Sequence, residues 1–206
     1  MARTKSSASW LSRHLSDPFV KQAQKDGYRS RSAYKLLELN EKDGLFRPGM
    51  RVMDLGSAPG GWSQVACKLI GDKGRVLATD ILPMAELRNV HFIQGDFTQD
   101  ETVQRIQDWL GGSKFDLVVS DIAPNISGID SADQARSIHF LELALDAVRA
   151  TLKPGASFVA KMFQGSGSDE YLKELRKYFS KVSIHKPAAS RKESREVYVI
   201  AKGFKG

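Results

Sequence analysis

The run VMDL breaks at residues 56–61 into GSAPGG and resumes at Trp62 as a segment of helical period. A turn this rich in glycine lets a ligand approach the backbone closely. The helix that follows aims unsatisfied N–H groups and the positive end of its dipole at whatever lies above the loop. Gly56, Gly60, Gly61 and Trp62 are therefore candidate cofactor residues, suited to a ligand with a carboxylate. Gly56 is followed by Ser57-Ala58-Pro59, not by the glycine spacing of the dinucleotide fingerprint, which counts against a dehydrogenase. Two acids extend the site. Asp80 closes the next strand, where its carboxylate can accept from both hydroxyls of a ribose. Asp96, after a third strand, can accept from an adenine amino group, with Phe97 beside the ring. A helix cap and a turn residue are the plainer readings of these acids. The three features in this order point instead to S-adenosylmethionine as cofactor.

Four more residues belong to the same edge. Asp121 follows the strand FDLVVS, Lys161 lies inside SFVAKMFQG, Glu196 opens the last strand, and Lys35 lies in the helical segment near the N-terminus. Lysine in a strand otherwise suited to burial on both faces is costly unless it is paired or functional. A structural ion pair is the bland alternative for Lys161.

These residues are positioned by alternating elements. Short β-rich runs fall at 51–55, 75–80, 90–94, 115–120, 157–163, 181–186 and 196–201, with helix-period segments at about 62–70, 99–110, 133–150 and 168–179. Such alternation predicts a mostly parallel sheet with helices on both faces, and ligands beyond the carboxyl ends of its strands. The last two runs are joined by PAASRKESR, which lacks the helix a parallel crossover needs, so they should pair antiparallel as a hairpin at the sheet edge. Seven strands with one reversed near the edge is the α/β, Rossmann-like layout of class I methyltransferases. Residues 50–206 form that domain in this reading. Residues 1–49 form a basic extension packed on it, with a helix over 30–44 that starts at Ser30 or Ser32 and ends at Gly44. Its apolar face is Ala33, Leu36 and Leu37, with Leu39 at the edge and Asn40 interrupting.

Charge is segregated. Residues 1–49 carry ten Lys/Arg against five Asp/Glu, residues 50–170 carry eleven against sixteen, and residues 171–206 carry ten against three. Basic ends around an acidic middle suggest a surface for a polyanion beside a separate site, two solvated faces being the alternative. Arg29, Arg31, Lys173, Arg176, Lys177, Lys181, Lys186, Arg191, Lys192 and Arg195 are its candidate phosphate contacts. The single cysteine, Cys67, reads as a small buried helix residue, and the four histidines have no metal-ligand spacing, so no metal is expected. No run is apolar enough to span a membrane, and the basic N-terminus lacks the apolar stretch of a secretory signal. A cytoplasmic monomer is expected. The sequon at 125–127 then has no role.

DLGSAPGGWSQ, SDIAPN, VAKMFQG and SREVYVIA together resemble the FtsJ/RrmJ (RlmE) family of ribose 2′-O-methyltransferases, over nearly the whole chain and including RSRSAYKLLEL and LFRPG. The resemblance implies that the family's K-D-K-E tetrad falls on Lys35, Asp121, Lys161 and Glu196. It places the cofactor residues at Gly60, Trp62, Asp80, Asp96 and Asp121. The implied substrate is a uridine in the A-loop of 23S rRNA within the large ribosomal subunit. The implied general base is Lys161, although ordinary lysine is almost wholly protonated at neutral pH. An ammonium that orients the hydroxyl is the second version. Other acceptors, tRNA or an mRNA cap, would share the tetrad. A small-molecule methyltransferase has little use for the basic ends, and a non-catalytic RNA-binding module would not need the tetrad.

Overall fold

The computed structural model describes residues 16–123, 130–191 and 193–206. The sequon, Lys192 and the first residues of the chain lie outside them. The elements run α1 (Pro18–Lys25), α2 (Ala33–Asp43), β1 (Arg51–Leu55), α3 (Gly61–Ile70), β2 (Arg75–Asp80), β3 (Val90–Gln94), α4 (Asp100–Leu110), β4 (Phe115–Ser120), α5 (Asp130–Thr151), β5 (Leu152–Phe163), α6 (Ser168–Tyr178), β6 (Phe179–His185) and β7 (Glu196–Phe204).

The strands form one sheet in the order β3-β2-β1-β4-β5-β7-β6. β1 to β5 are mutually parallel, and β7 runs antiparallel between β5 and β6. The short link after β6 permits only a reversal. The last strand therefore inserts between its two neighbours and starts at the edge where the parallel strands end. β1 lies between β2 and β4, so the chain's winding changes direction there, at the place where such sheets take ligands.

Strand alternation divides the core in two. Met53, Leu55, Phe158, Ala160 and Met162 pack under α4, α5 and α6, with Ile106, Leu145 and Leu175 from those helices. Val52, Val119, Val159, Tyr198 and Ile200 face the other way, against Leu36 and Leu39 of α2 and Trp62 and Val65 of α3. By the same period of two, Asp54 and Lys161 belong to the α2/α3 side.

Several elements differ from the sequence reading. α1 was not anticipated; eight residues are too few for a clear period, but Asp17 caps it by accepting from the Phe19 amide and Pro18 occupies its first turn. β5 begins at Leu152, which pairs with Phe115 across a bulge, β6 starts two residues early and β7 runs on to Phe204. In α2 the buried side is Ala33, Lys35, Leu36 and Leu39, so Leu39 replaces Leu37 in the core. Asn40 interrupts nothing: its Oδ1 accepts from the Phe46 amide and turns the chain toward β1. Among the described residues no helix is long and apolar enough to cross a membrane.

α2 is held by its apolar face. Leu36→Ala, at a side chain with no exposure, should lower the unfolding free energy by about 2–5 kcal/mol, read by urea denaturation; a cost near zero would show that α2 is not docked.

Candidate active site

β1 ends at Leu55 and the loop to α3 passes through Gly56 and Gly60, both at positive φ (71° and 110°). α3 has no side-chain cap, so its first amides remain directed over the loop. The glycines were read as room for a cofactor. Their missing Cβ atoms point at the chain itself: a Cβ on Gly56 would lie 2.2 Å from Ile122 Cγ1, one on Gly60 2.9 Å from Leu87 Cδ1, and one on Gly61 2.2 Å from Ser30 Oγ. The loop is thin because protein packs behind it. Trp62 is likewise turned away. Its indole is buried, donates to the Ser32 carbonyl at 2.9 Å and lies 5.6 Å from the Tyr198 ring, so it can offer the site only backbone.

Above the loop, at the carboxyl ends of β1, β2, β3 and β4, lies a cavity of about 350 Å³. It brings together Gly56, Asp80, Asp96, Phe97 and Asp121; Gly60, Gly61 and Trp62 are not in its lining. Ile81 and Leu82, both well exposed, and Phe140 of α5 complete the wall. Sequence reasoning missed these three because they interrupt no pattern. Asp80 does not cap a helix. Its two oxygens accept from the amides of Ala58 and Leu82, each at 2.8 Å, and so bridge the two loops that flank the cavity. Asp96 has the turn role as well, since its Oδ1 accepts from the Thr98 amide and hydroxyl.

Beside the cavity the four predicted polar residues meet as two ion pairs. Lys161 Nζ donates to the Asp121 carbonyl at 2.6 Å and lies 3.1 Å from Asp121 Oδ1. Lys35 Nζ lies 2.6 Å from Glu196 Oε1, which also accepts from Ser190 Oγ at 2.8 Å. Tyr198, read from the sequence only as part of a strand, joins the pairs. It sits opposite Lys161 in register, its hydroxyl donates to Asp121 Oδ1 at 2.6 Å, and the Lys35 ammonium lies 5.5 Å from its ring centre. The signal for it was its place two residues after Glu196, on the same face of β7.

Burial by itself pushes the Asp121 carboxyl up, but the Lys161 and Lys35 cations, with the Tyr198 hydroxyl, outweigh it and hold the group below the ordinary carboxylate range. Burial and the Asp121 charge push the Tyr198 phenol well above its usual value, so it remains a donor. Asp54, also missed, is fully buried; that burial pushes its carboxyl up to about 7 despite a 2.6 Å bond from Ser63 Oγ. The Cys67 thiol, half-buried rather than fully so, is pushed up to about 11 by burial and is poorly disposed to react.

The basic candidates separate. Arg29 donates to the carbonyls of Pro59, Ala85 and Glu86. Arg31 pairs with Asp17 and donates to the Ala189 carbonyl. Both are partly buried and held by bonds within the chain. Lys173, Arg176, Lys177, Lys181, Lys186, Arg191 and Arg195 are exposed, with Lys177 paired to Glu174 and Arg195 Nη2 3.5 Å from Asp130.

The FtsJ-like methyltransferase family matches residues 28–204. The chain is 67% identical, over the full length of both, to a protein of Stutzerimonas stutzeri named ribosomal RNA large subunit methyltransferase E. It is 61% identical to the protein of that name in Marinobacter nauticus, over all of this chain and 99% of the relative. Among solved structures, a ribosomal RNA methyltransferase of Plasmodium falciparum superposes with a TM-score of 0.81 at 29% identity, covering 87% of this chain and all of that one.

Because Asp121 titrates below its unfolded value, it contributes stability that is complete above the ordinary carboxylate range and is lost as pH falls through the lowered native value. Tyr198→Phe removes one donor and keeps the ring. It should raise the Asp121 carboxyl pKa and cost about 1–3 kcal/mol at neutral pH. Carbon-13 titration of the carboxyl and urea denaturation at several pH values check this; an unmoved Asp121 titration would refute the hydroxyl's role.

Proposed function

Because the chain belongs to the FtsJ-like methyltransferase family, we propose that it transfers the methyl group of S-adenosylmethionine to the ribose 2′-hydroxyl of a uridine in the A-loop of 23S rRNA. In this reading it acts as a cytoplasmic monomer on the large ribosomal subunit. The relatives' names support the ribosomal substrate. The observation that carries the chemistry is Asp121, which lines the cofactor cavity and is paired with Lys161, so that donor and acceptor sites share a wall.

The residues present fit the donor. Among the described residues four buried side-chain polar atoms have no hydrogen-bond partner, and three of them, Asp54 Oδ1, Ser57 Oγ and Thr79 Oγ1, lie at the donor loop or the adjoining strand ends. Buried polar atoms are rarely left unpaired, and a clustering of such atoms suits a site completed by a polar ligand. Asp80 and Asp96 would hold the ribose and adenine, with Phe97 against the base. The α3 amides would hold the carboxylate. When bound, the donor supplies a methyl carbon made electrophilic by its sulfonium.

The chain then has to align a hydroxyl oxygen with that carbon and manage one proton. Alignment can contribute on the order of 7–11 kcal/mol. Lys161 directs two N–H groups at Asp121, its carbonyl and its Oδ1, and has a third for the hydroxyl oxygen. As an ammonium it orients that oxygen and stabilises the negative charge that develops on it as the O–C bond forms. The hydroxyl proton passes to solvent as the ether is completed. Lys35 and Glu196 neutralise one another beside this centre. The contact with a carboxylate favours this version over a neutral amine acting as base.

Labelled methyl offered in parallel to large subunits, free 23S RNA and tRNA should appear in the subunits; preferential labelling of tRNA would move the reading to another acceptor. Lys161→Ala should lower the rate of transfer by about 10²- to 10³-fold or more with cofactor affinity intact, because Lys161 is outside the cavity lining. The pH dependence of the chemical step separates the two versions: an ammonium loses activity as Lys161 deprotonates with rising pH, whereas a general base gains it.

A further inference from the structure

Arg29 is the second clamp of the cofactor site. Its Nη1 donates to the Pro59 carbonyl at 3.2 Å, in the loop after β1, and to the Ala85 carbonyl at 2.7 Å; its Nη2 donates to the Glu86 carbonyl at 2.8 Å. Ala85 and Glu86 belong to the segment after β2 whose first residues, Ile81 and Leu82, line the cavity. Asp80 bridges the same two loops from the cavity side through the Ala58 and Leu82 amides. One carboxylate takes amides from within and one guanidinium takes carbonyls from behind, so the loops are held at a fixed separation. The glycines fit this arrangement. A Cβ on Gly60 would lie 3.1 Å from Arg29 Nη1, so the absence of a side chain there admits the guanidinium.

The clamp also reaches the acceptor side. The Arg29 amide donates to Gln64 Oε1 at 2.8 Å, Gln64 Nε2 donates to the Gly27 carbonyl at 3.0 Å, and Trp62 Nε1 donates to the Ser32 carbonyl at 2.9 Å. Residues 27–32 are thereby fastened along α3 immediately before α2, which carries Lys35. Resting on the proposed cofactor site, we infer that Arg29 is a positioning residue: it sets the separation of the two loops that hold S-adenosylmethionine, and it does not act as an RNA phosphate contact. An arginine is required because its donors diverge from a rigid plane onto carbonyls of separate loops. A lysine ammonium is a single point of charge and cannot reproduce them.

Charge and geometry can be separated by comparing Arg29→Lys with Arg29→Ala. Calorimetric titration of S-adenosylmethionine into each protein alone should show a dissociation constant raised about tenfold or more in both variants, the loss of charge-assisted bonds that preorganise the loops. KM for the cofactor should rise in parallel, and kcat at saturating cofactor should fall less than threefold. RNA affinity and its salt dependence should match the unsubstituted protein in both. A lysine variant with unaltered cofactor affinity overturns the inference, as does weakened RNA binding with cofactor affinity retained. Should Arg29→Ala fail to fold, as judged by urea denaturation, Arg29→Lys decides alone. If the unsubstituted protein does not bind S-adenosylmethionine, the proposed function falls and this inference with it. If it binds but methylates another RNA, the inference stands or falls on the two affinities.

Discussion

A carboxylate removed from water at the end of β4 must be compensated, and much of the molecule is arranged to compensate Asp121. Burying an unpaired ion costs several kcal/mol even after relaxation. Lys161 and the Tyr198 hydroxyl answer that charge. Lys161, on a strand otherwise buried, is acceptable only because of the same contact. Lys35 and Glu196 repeat the arrangement beside it, so two cations and two anions lie together with no net charge. Neutrality of this kind lets charged groups sit together at a partly dry site. Removing one member leaves an uncompensated charge among the other three.

The reversed strand makes the arrangement possible. In a wholly parallel sheet a strand begins at the edge away from the ligand and its first residue is remote from the chemistry. β7 begins where β5 ends, with Glu196 opposite Phe163 and Tyr198 opposite Lys161. One change of direction therefore delivers a carboxylate and a phenol to the edge where Asp121 and Lys161 already lie. The link before β7 supplies Ser190, which bonds Glu196. α2, docked through Leu36 and Leu39, brings Lys35 down on the same face.

What could be read from the sequence follows from this. Lys161 was visible because a cation within an apolar strand has few explanations, and Asp121, Asp80 and Asp96 because each follows a strand at its carboxyl end. Six of the seven strands began within two residues of their predicted positions, since each is a short β-rich run bounded by turn or helix-period residues; β5 began five residues early because LKPGA has no strand pattern. Tyr198 was hidden by its aptness for a core strand, where its ring indeed packs; only the register places its hydroxyl on Asp121. The glycines of the loop were visible, but a sequence shows that a side chain is missing and not which neighbour fills the space. Asp54 was invisible as a buried acid, since nothing in DLG distinguishes a facing from a buried carboxylate.

The two basic ends, equivalent on paper, do different physical work. At the N-terminal end Arg29 and Arg31 face inward onto carbonyls and Asp17, and Lys35 is spent on Glu196. These contacts fix the side chains within the fold. At the C-terminal end Lys173, Arg176, Lys181 and Arg191 stay exposed, on α6 and on the strand and loop that lead to Glu196. Exposed charge of this kind acts over roughly 8–10 Å at physiological salt. Such a field steers a polyanion without reading its sequence. The start of β7 lies beside Lys161 and Asp121, next to the cavity that Asp121 lines.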